Sequence, residues 1–128
     1  MIFVIGGIYE GKTEYVKNTY GKEITDGASC ELNCKDFECI NNYHILIKRL
    51  IENGTDPLKF TLELIEEKKD LIIIMDEIGC GIVPIEKSER MWRETTGRIG
   101  CIIAEKSEKT VRIFCGIPQI LKEKTNDC

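Results

Sequence analysis

Apolar residues fall into short runs separated by segments with helical spacing, which predicts strands and helices in alternation. Met1 to Ile5 is an unbroken apolar run ending at Gly6-Gly7, the pattern of a strand buried on both faces. Lys12 to Tyr20 follows as a helix stopped at Gly21. Glu23 to Asp26 is a short strand candidate ending at Gly27. Residues 36 to 52 set Ile40, His44, Ile47 and Ile51 on one helical face. A further helix starts at Asp56-Pro57, with Asp56 as N-cap, Pro57 at the first helical position, and Leu58, Leu62 and Ile65 as its stripe. Leu71 to Met75 is the clearest central strand, and Gly79 to Pro84 is a glycine-rich loop. Residues 86 to 105 read as a helix with Met91, Thr95, Ile99 and Ile102 or Ile103 inward. Gly97 and Gly100 in that helix are expected to permit close backbone packing. Val111 to Cys115 reads as the last strand, ending at Gly116.

This alternation predicts an α/β fold: a mainly parallel sheet flanked by helices on both faces, three layers in all. Ligands of such sheets bind at the carboxyl ends of the strands. Those ends carry Gly6-Gly7, Asp26-Gly27, Asp76-Glu77 and Gly116, so the candidate chemistry is expected along one edge.

Length and charge narrow the field. A chain of 128 residues is expected to form one domain, residues 1–128, and to bury about two thirds of its unfolded surface without disulfides or metal. A net charge of -4 and the lack of a basic aromatic platform disfavour nucleic acid and anionic membranes as partners. The run Ile2 to Ile5 is too short for a signal peptide or a membrane span, so a cytoplasmic location is expected. The seven cysteines are odd in number and include no C-x-x-C pair. Free thiols are the expected state, with a metal site of Cys30, Cys34 and Cys39 as the less favoured reading.

The most specific local pattern is Gly6-Gly7-Ile8-Tyr9-Glu10-Gly11-Lys12-Thr13, a match to G-x-x-x-x-G-K-[ST] between a buried strand and a helix. Glycines let the loop turn its backbone N–H groups around a phosphate, and the helix N-terminus adds partial positive charge. Lys12 is expected to reach the β/γ-phosphates and Thr13 to bind Mg²⁺ accompanying GTP or ATP. Glu10 beside phosphates is tolerable only if it points to solvent. Asp76-Glu77, after Ile72-Ile73-Ile74-Met75, has the form in which Asp holds the metal and Glu serves as base. Asp26 is a further strand-end metal candidate. His44, the only histidine, is either a buried, hydrogen-bonded core residue or a catalytic group that contacts or carries phosphate. Arg90, Arg93 and Arg98 around Trp92 form either a solvated face or, through Arg90 and Arg93, a site for a phosphorylated substrate.

The second half adds a longer pattern. Asp76-Glu77-Ile78-Gly79-Cys80-Gly81-Ile82-Val83-Pro84, then Arg90, Trp92-Arg93-Glu94 and Gly97-Arg98, resembles the N-E-V-G-x-G-I-V-P…R-x-F-R-D-x-x-G signature of the adenosylcobinamide kinase / adenosylcobinamide-phosphate guanylyltransferase family. Cys115-Gly116-Ile117-Pro118 with Leu121-Lys122 is similar to that family's G-x-P…K ending, and residues 6–13 fit its phosphate loop. The resemblance covers residues 1–20 and 71–122. It implies a P-loop NTPase-like fold, a role in cobalamin (vitamin B12) assembly, and a nucleoside triphosphate and a corrinoid as partners. The implied reaction is phosphorylation of the aminopropanol hydroxyl of adenosylcobinamide. Full-length members also transfer GMP from GTP to the product through a guanylylated histidine, and they assemble as homo-oligomers. Carried over, Gly6 to Thr13 hold the triphosphate, Asp26 of Ile24-Thr25-Asp26-Gly27 holds Mg²⁺, and Glu77 matches the family Glu. Asp76 stands where Asn is usual, and Gly100-Cys101 where Asn-Gln is usual. The H-R-x-x-R-P-x-x-W segment of the transferase histidine has no counterpart between Thr13 and Asp26, which makes the kinase the safer expectation. A non-catalytic nucleotide-binding regulatory or scaffold protein is the alternative.

Overall fold

A computed structural model describes residues 1–7, 11–78 and 86–124. Ile8, Tyr9 and Glu10 of the phosphate-loop pattern, and the loop Gly79 to Pro84, lie outside the described residues. Among the described residues, six strands form one sheet in the order β2-β3-β4-β1-β5-β6. They are β1 (Ile2–Gly6), β2 (Ile24–Asp26), β3 (Cys39–Asn41), β4 (Ile72–Asp76), β5 (Lys109–Phe114) and β6 (Ile117–Glu123). The helices are α1 (Lys12–Tyr20), α2 (Tyr43–Glu52), α3 (Pro57–Glu67) and α4 (Lys87–Lys106). All neighbouring pairs are parallel except β5–β6.

The central strands are apolar on both sides because both faces are covered. Phe3, Ile73 and Met75 face a core with Tyr43, Leu46 and Ile47 of α2, Leu64 of α3, and Ile99 and Ile103 of α4. Val4, Ile72, Ile74, Val111 and Ile113 face a smaller core with Val16 of α1. Each such side chain contributes about 1.5–3 kcal/mol on full burial. Helix α1 thus covers one face, and α2, α3 and α4 the other. Among the described residues no helix is long and apolar enough to cross a membrane.

Local chemistry sets the helix ends. The Asp56 carboxylate accepts from the Leu58 and Lys59 amides at 3.0 and 3.4 Å and starts α3 at Pro57. Helix α1 begins after Gly11 at φ 89 and ends at Gly21 at φ 61, both left-handed conformations that suit glycine.

Several sequence expectations need correction. Residues 36–52 are not one helix. Cys39–Asn41 is strand β3, and α2 starts only at Tyr43, after Asn42 at φ 55. Ile40 and His44 share helical spacing, yet Cys39 and Ile40 face opposite cores, as strand neighbours do. In α3 the buried side is Phe60, Thr61, Leu64 and Ile65, while Leu58 and Leu62 are exposed. In α4 Ile99 and Ile103 are buried as expected, but Thr96 and Gly100 complete the inward face, Thr95 is half-buried and Met91 is exposed. A Cβ on Gly100 would lie 3.0 Å from Met75 Cε, but one on Gly97 would meet open space, so only Gly100 is closely packed. Finally, β5 is not last. Cys115 at φ 50 and Gly116 at φ 76 make a two-residue turn into the antiparallel β6.

Candidate active site

The chain leaves the carboxyl ends of β1 and β4, which lie side by side, toward opposite faces. Gly6-Gly7 leads to α1, and Asp76-Glu77 leads toward α4. Where adjacent connections part in this way, a crevice opens. The polar side chains of interest converge on it.

Lys12, only 6 % exposed, sits at the first position of α1. Its Nζ lies 2.7 Å from Asp76 Oδ1 and donates to the Gly7 carbonyl at 2.6 Å. Gly11 has no side chain to cap the helix, so the N-cap itself offers no side-chain acceptor to the first-turn amides. Thr13, half-buried, follows Lys12 directly.

His44 stands on the other side of Asp76. Its Nδ1 accepts from the Asp76 amide at 3.2 Å, and its Nε2 lies 3.4 Å from Asp76 Oδ2. An accepting Nδ1 requires the neutral ring with its proton on Nε2. Burial pushes the His44 pKa down, opposed by the Asp76 charge and aided by Lys12. The Trp92 indole donates to the His44 carbonyl at 2.8 Å and joins α4 to this corner. Lys48 Nζ lies 4.9 Å from the centre of the Trp92 ring and 3.0 Å from Glu89.

Glu77 is held from two sides. Its amide donates to the Gly6 carbonyl at 2.8 Å. Its carboxylate takes Arg112 Nε at 2.7 Å and Nη2 at 3.3 Å. The clasp spans β1, which lies between the strands bearing the two residues. Arg112 was not singled out by the sequence reading. Its signal is a charge set between two buried apolar residues, Val111 and Ile113.

Asp26 lies apart. Strand β3 separates it from Asp76, two spacings or about 10 Å across the sheet. Its Oδ1 accepts from Asn42 Nδ2 and from the Ala28 amide, each at 2.9 Å. These bonds, led by that of Asn42, hold its carboxyl below the usual value. Arg90 is exposed and Arg93 half-buried on α4. The three clustered cysteines are not alike: Cys39 is fully buried, Cys30 half-buried and Cys34 exposed. Burial pushes the Cys39 thiol up to about 12, away from the thiolate a metal needs. Among the described residues no three His, Cys, Asp or Glu side chains are grouped to hold a metal ion.

Fold and site together define a mostly parallel α/β protein whose buried lysine and half-buried carboxylates meet where the sheet connections diverge. The chain belongs to the CobU family, cobinamide kinase / cobinamide phosphate guanyltransferase, whose sequence model matches residues 39–121. That span runs from β3 into β6 and holds His44, Asp76, Glu77, Arg90 and Arg93. Gly6 to Thr13 and Asp26 precede it. The family is described by two transferase activities, one on cobinamide and one on its phosphate. No curated protein matches the chain.

Proposed function

We propose that this chain is a P-loop-type, nucleotide-dependent kinase of cobalamin biosynthesis that phosphorylates a hydroxyl of cobinamide, using ATP or GTP. The observation that carries the reading is the buried Lys12 Nζ, 2.7 Å from Asp76 at the divergence of the β1 and β4 connections. A lysine so placed, at an uncapped helix N-terminus, suits a triphosphate. Family membership supplies the acceptor class.

Thr13 and Asp76 offer hard oxygen donors, which suit Mg²⁺ and leave room for the waters it retains. Bound there, Mg²⁺ would supply charge neutralisation to the triphosphate. Lys12 passes from Asp76 to a phosphate oxygen. Glu77, fixed by Arg112, accepts a hydrogen bond from the attacking hydroxyl and orients it. A bond forms from the hydroxyl oxygen to the γ-phosphorus while the bond from the β,γ-bridging oxygen breaks. The nucleoside diphosphate leaves, and the hydroxyl proton passes to Glu77 and on to solvent. Positioning and electrostatics carry most of such a reaction. His44, with Nδ1 occupied by the Asp76 amide, braces the end of β4.

The test is incubation with labelled ATP or GTP, cobinamide and Mg²⁺. Phosphorylated cobinamide is expected, and Lys12→Ala is expected to lower turnover by about 10²–10³-fold. A nucleotide that binds without any product would establish the non-catalytic alternative. A GDP-linked product would add the transferase reaction.

A further inference from the structure

Arg112 holds Glu77 in a way that leaves part of its own guanidinium unused. It stands on β5 between Val111 and Ile113, which pack into the α1 core, so strand alternation puts it on the α4 face. Its partner on β1 is Ile5, whereas Asp76 is the partner of Gly6 and Glu77 comes one residue later. The arginine side chain therefore runs toward the carboxyl end of the sheet, about 6–7 Å beyond its own level on the strand rise. There its Nε and Nη2 meet the two Glu77 oxygens at 2.7 and 3.3 Å. Nη1, with its two N–H groups, takes no part in that clasp. The side chain is 44 % exposed, so a solute can reach it.

Lys12 comes to the same end of the sheet from α1, on the opposite face, and pairs with Asp76. The two consecutive carboxylates at the end of β4 thus each have a cation of their own, one from either face. A triphosphate brought here adds negative charge beside both. During transfer that charge gathers on the oxygens of the group in flight, where fixed donors have their largest effect.

We propose that Arg112 is a catalytic residue: Nη1 donates to an oxygen of the γ-phosphoryl group as it passes to the acceptor hydroxyl, while Nε and Nη2 stay on Glu77. The inference rests on the kinase reading above and adds no bond change to it. The planar clasp fixes the direction of the remaining N–H groups, so no reorganisation is needed as the charge develops. Each Glu77 oxygen keeps a lone pair for the acceptor hydroxyl. The α1 face carries the helix that takes the phosphate chain of the nucleotide. A donor on the α4 face reaches the terminal phosphoryl group, on the side from which the acceptor approaches in line.

The test compares Arg112→Gln, Arg112→Lys, Glu77→Gln and the double variant Glu77→Gln/Arg112→Gln in cobinamide phosphorylation. Calorimetry gives their affinities for a non-hydrolysable ATP or GTP analogue and for the nucleoside diphosphate with Mg²⁺ and aluminium fluoride, which mimics the group in flight. Arg112→Gln is expected to lower kcat about 10²–10³-fold and to weaken the aluminium fluoride complex at least about tenfold, with analogue Kd held within about threefold. Arg112→Lys is expected to lose at least about tenfold in kcat, because one ammonium cannot hold Glu77 and also reach the phosphoryl group. Since it keeps the charge, it carries the same comparisons if Arg112→Gln does not fold. In the Glu77→Gln background, removing Arg112 is expected to cost at least about a further tenfold, in kcat or in aluminium fluoride affinity. No further loss there overturns the proposal, because Arg112 then acts through Glu77 alone. So does a loss of analogue affinity as large as the loss in kcat/KM, the mark of ground-state binding. Parent protein that binds nucleotide and forms no phosphorylated cobinamide overturns the kinase reading itself, and this role with it.

Discussion

At Gly6 the reason for glycine is a backbone atom across the sheet. A Cβ there would lie 2.5 Å from the Ile113 carbonyl oxygen, which has no flexible end to yield. Gly6→Ala is therefore expected to cost about 1–3 kcal/mol by urea unfolding, the range for overpacking, and to displace the Glu77 amide from the Gly6 carbonyl. Gly27 is fixed in the same way, with a Cβ 2.7 Å from the Asn41 carbonyl oxygen. Neither reason is legible from a glycine in a sequence, although both positions were marked as strand ends. The same holds for the site. The phosphate-loop pattern and the end of the apolar run pointed to Lys12 and Asp76. Nothing along the chain told that His44, 32 residues before Asp76, would accept its amide, because that contact requires β3 to be a strand.

Elements that carry their own stop signals were legible, and those defined by tertiary context were not. Helix α1 runs from Lys12 to Tyr20, as its glycine stops imply. Helix α3 begins where Asp56-Pro57 places it, and Asp56→Ala is expected to cost about 1 kcal/mol in thermal or urea unfolding through the lost cap. By contrast, β6 has every residue exposed, including Ile117, Ile120 and Leu121, so it has no buried face to set a period of two. Pro118 also argues against a strand, yet it is tolerated on an edge. In α4 two overlapping stripes fit helical spacing, and packing against Met75 and the His44 corner chose the one with Trp92, Thr96 and Ile99.

For the whole molecule, binding and folding are linked. A nucleotide that engages Lys12 at the junction of α1, β1 and β4 binds the folded chain alone. At one hundred times its Kd it is expected to add about 2.7 kcal/mol. That is a rise of several degrees in the melting temperature of the parent, and none with Lys12→Ala, readable by calorimetry. The Lys12–Asp76 pair gives this linkage an unusual form. Without ligand the ammonium already has an anion as partner, so the site is a closed ion pair rather than a bare positive charge awaiting a counter-ion. A phosphate entering here exchanges one anion for another, and the carboxylate it releases is free at that moment to take up positive charge. Asparagine at position 76 would leave the lysine with neutral acceptors alone, the Gly7 carbonyl among them, and remove that exchange of anions. On the proposed kinase reading, the aspartate would make occupation of the site by phosphate and recruitment of a cation two halves of one event.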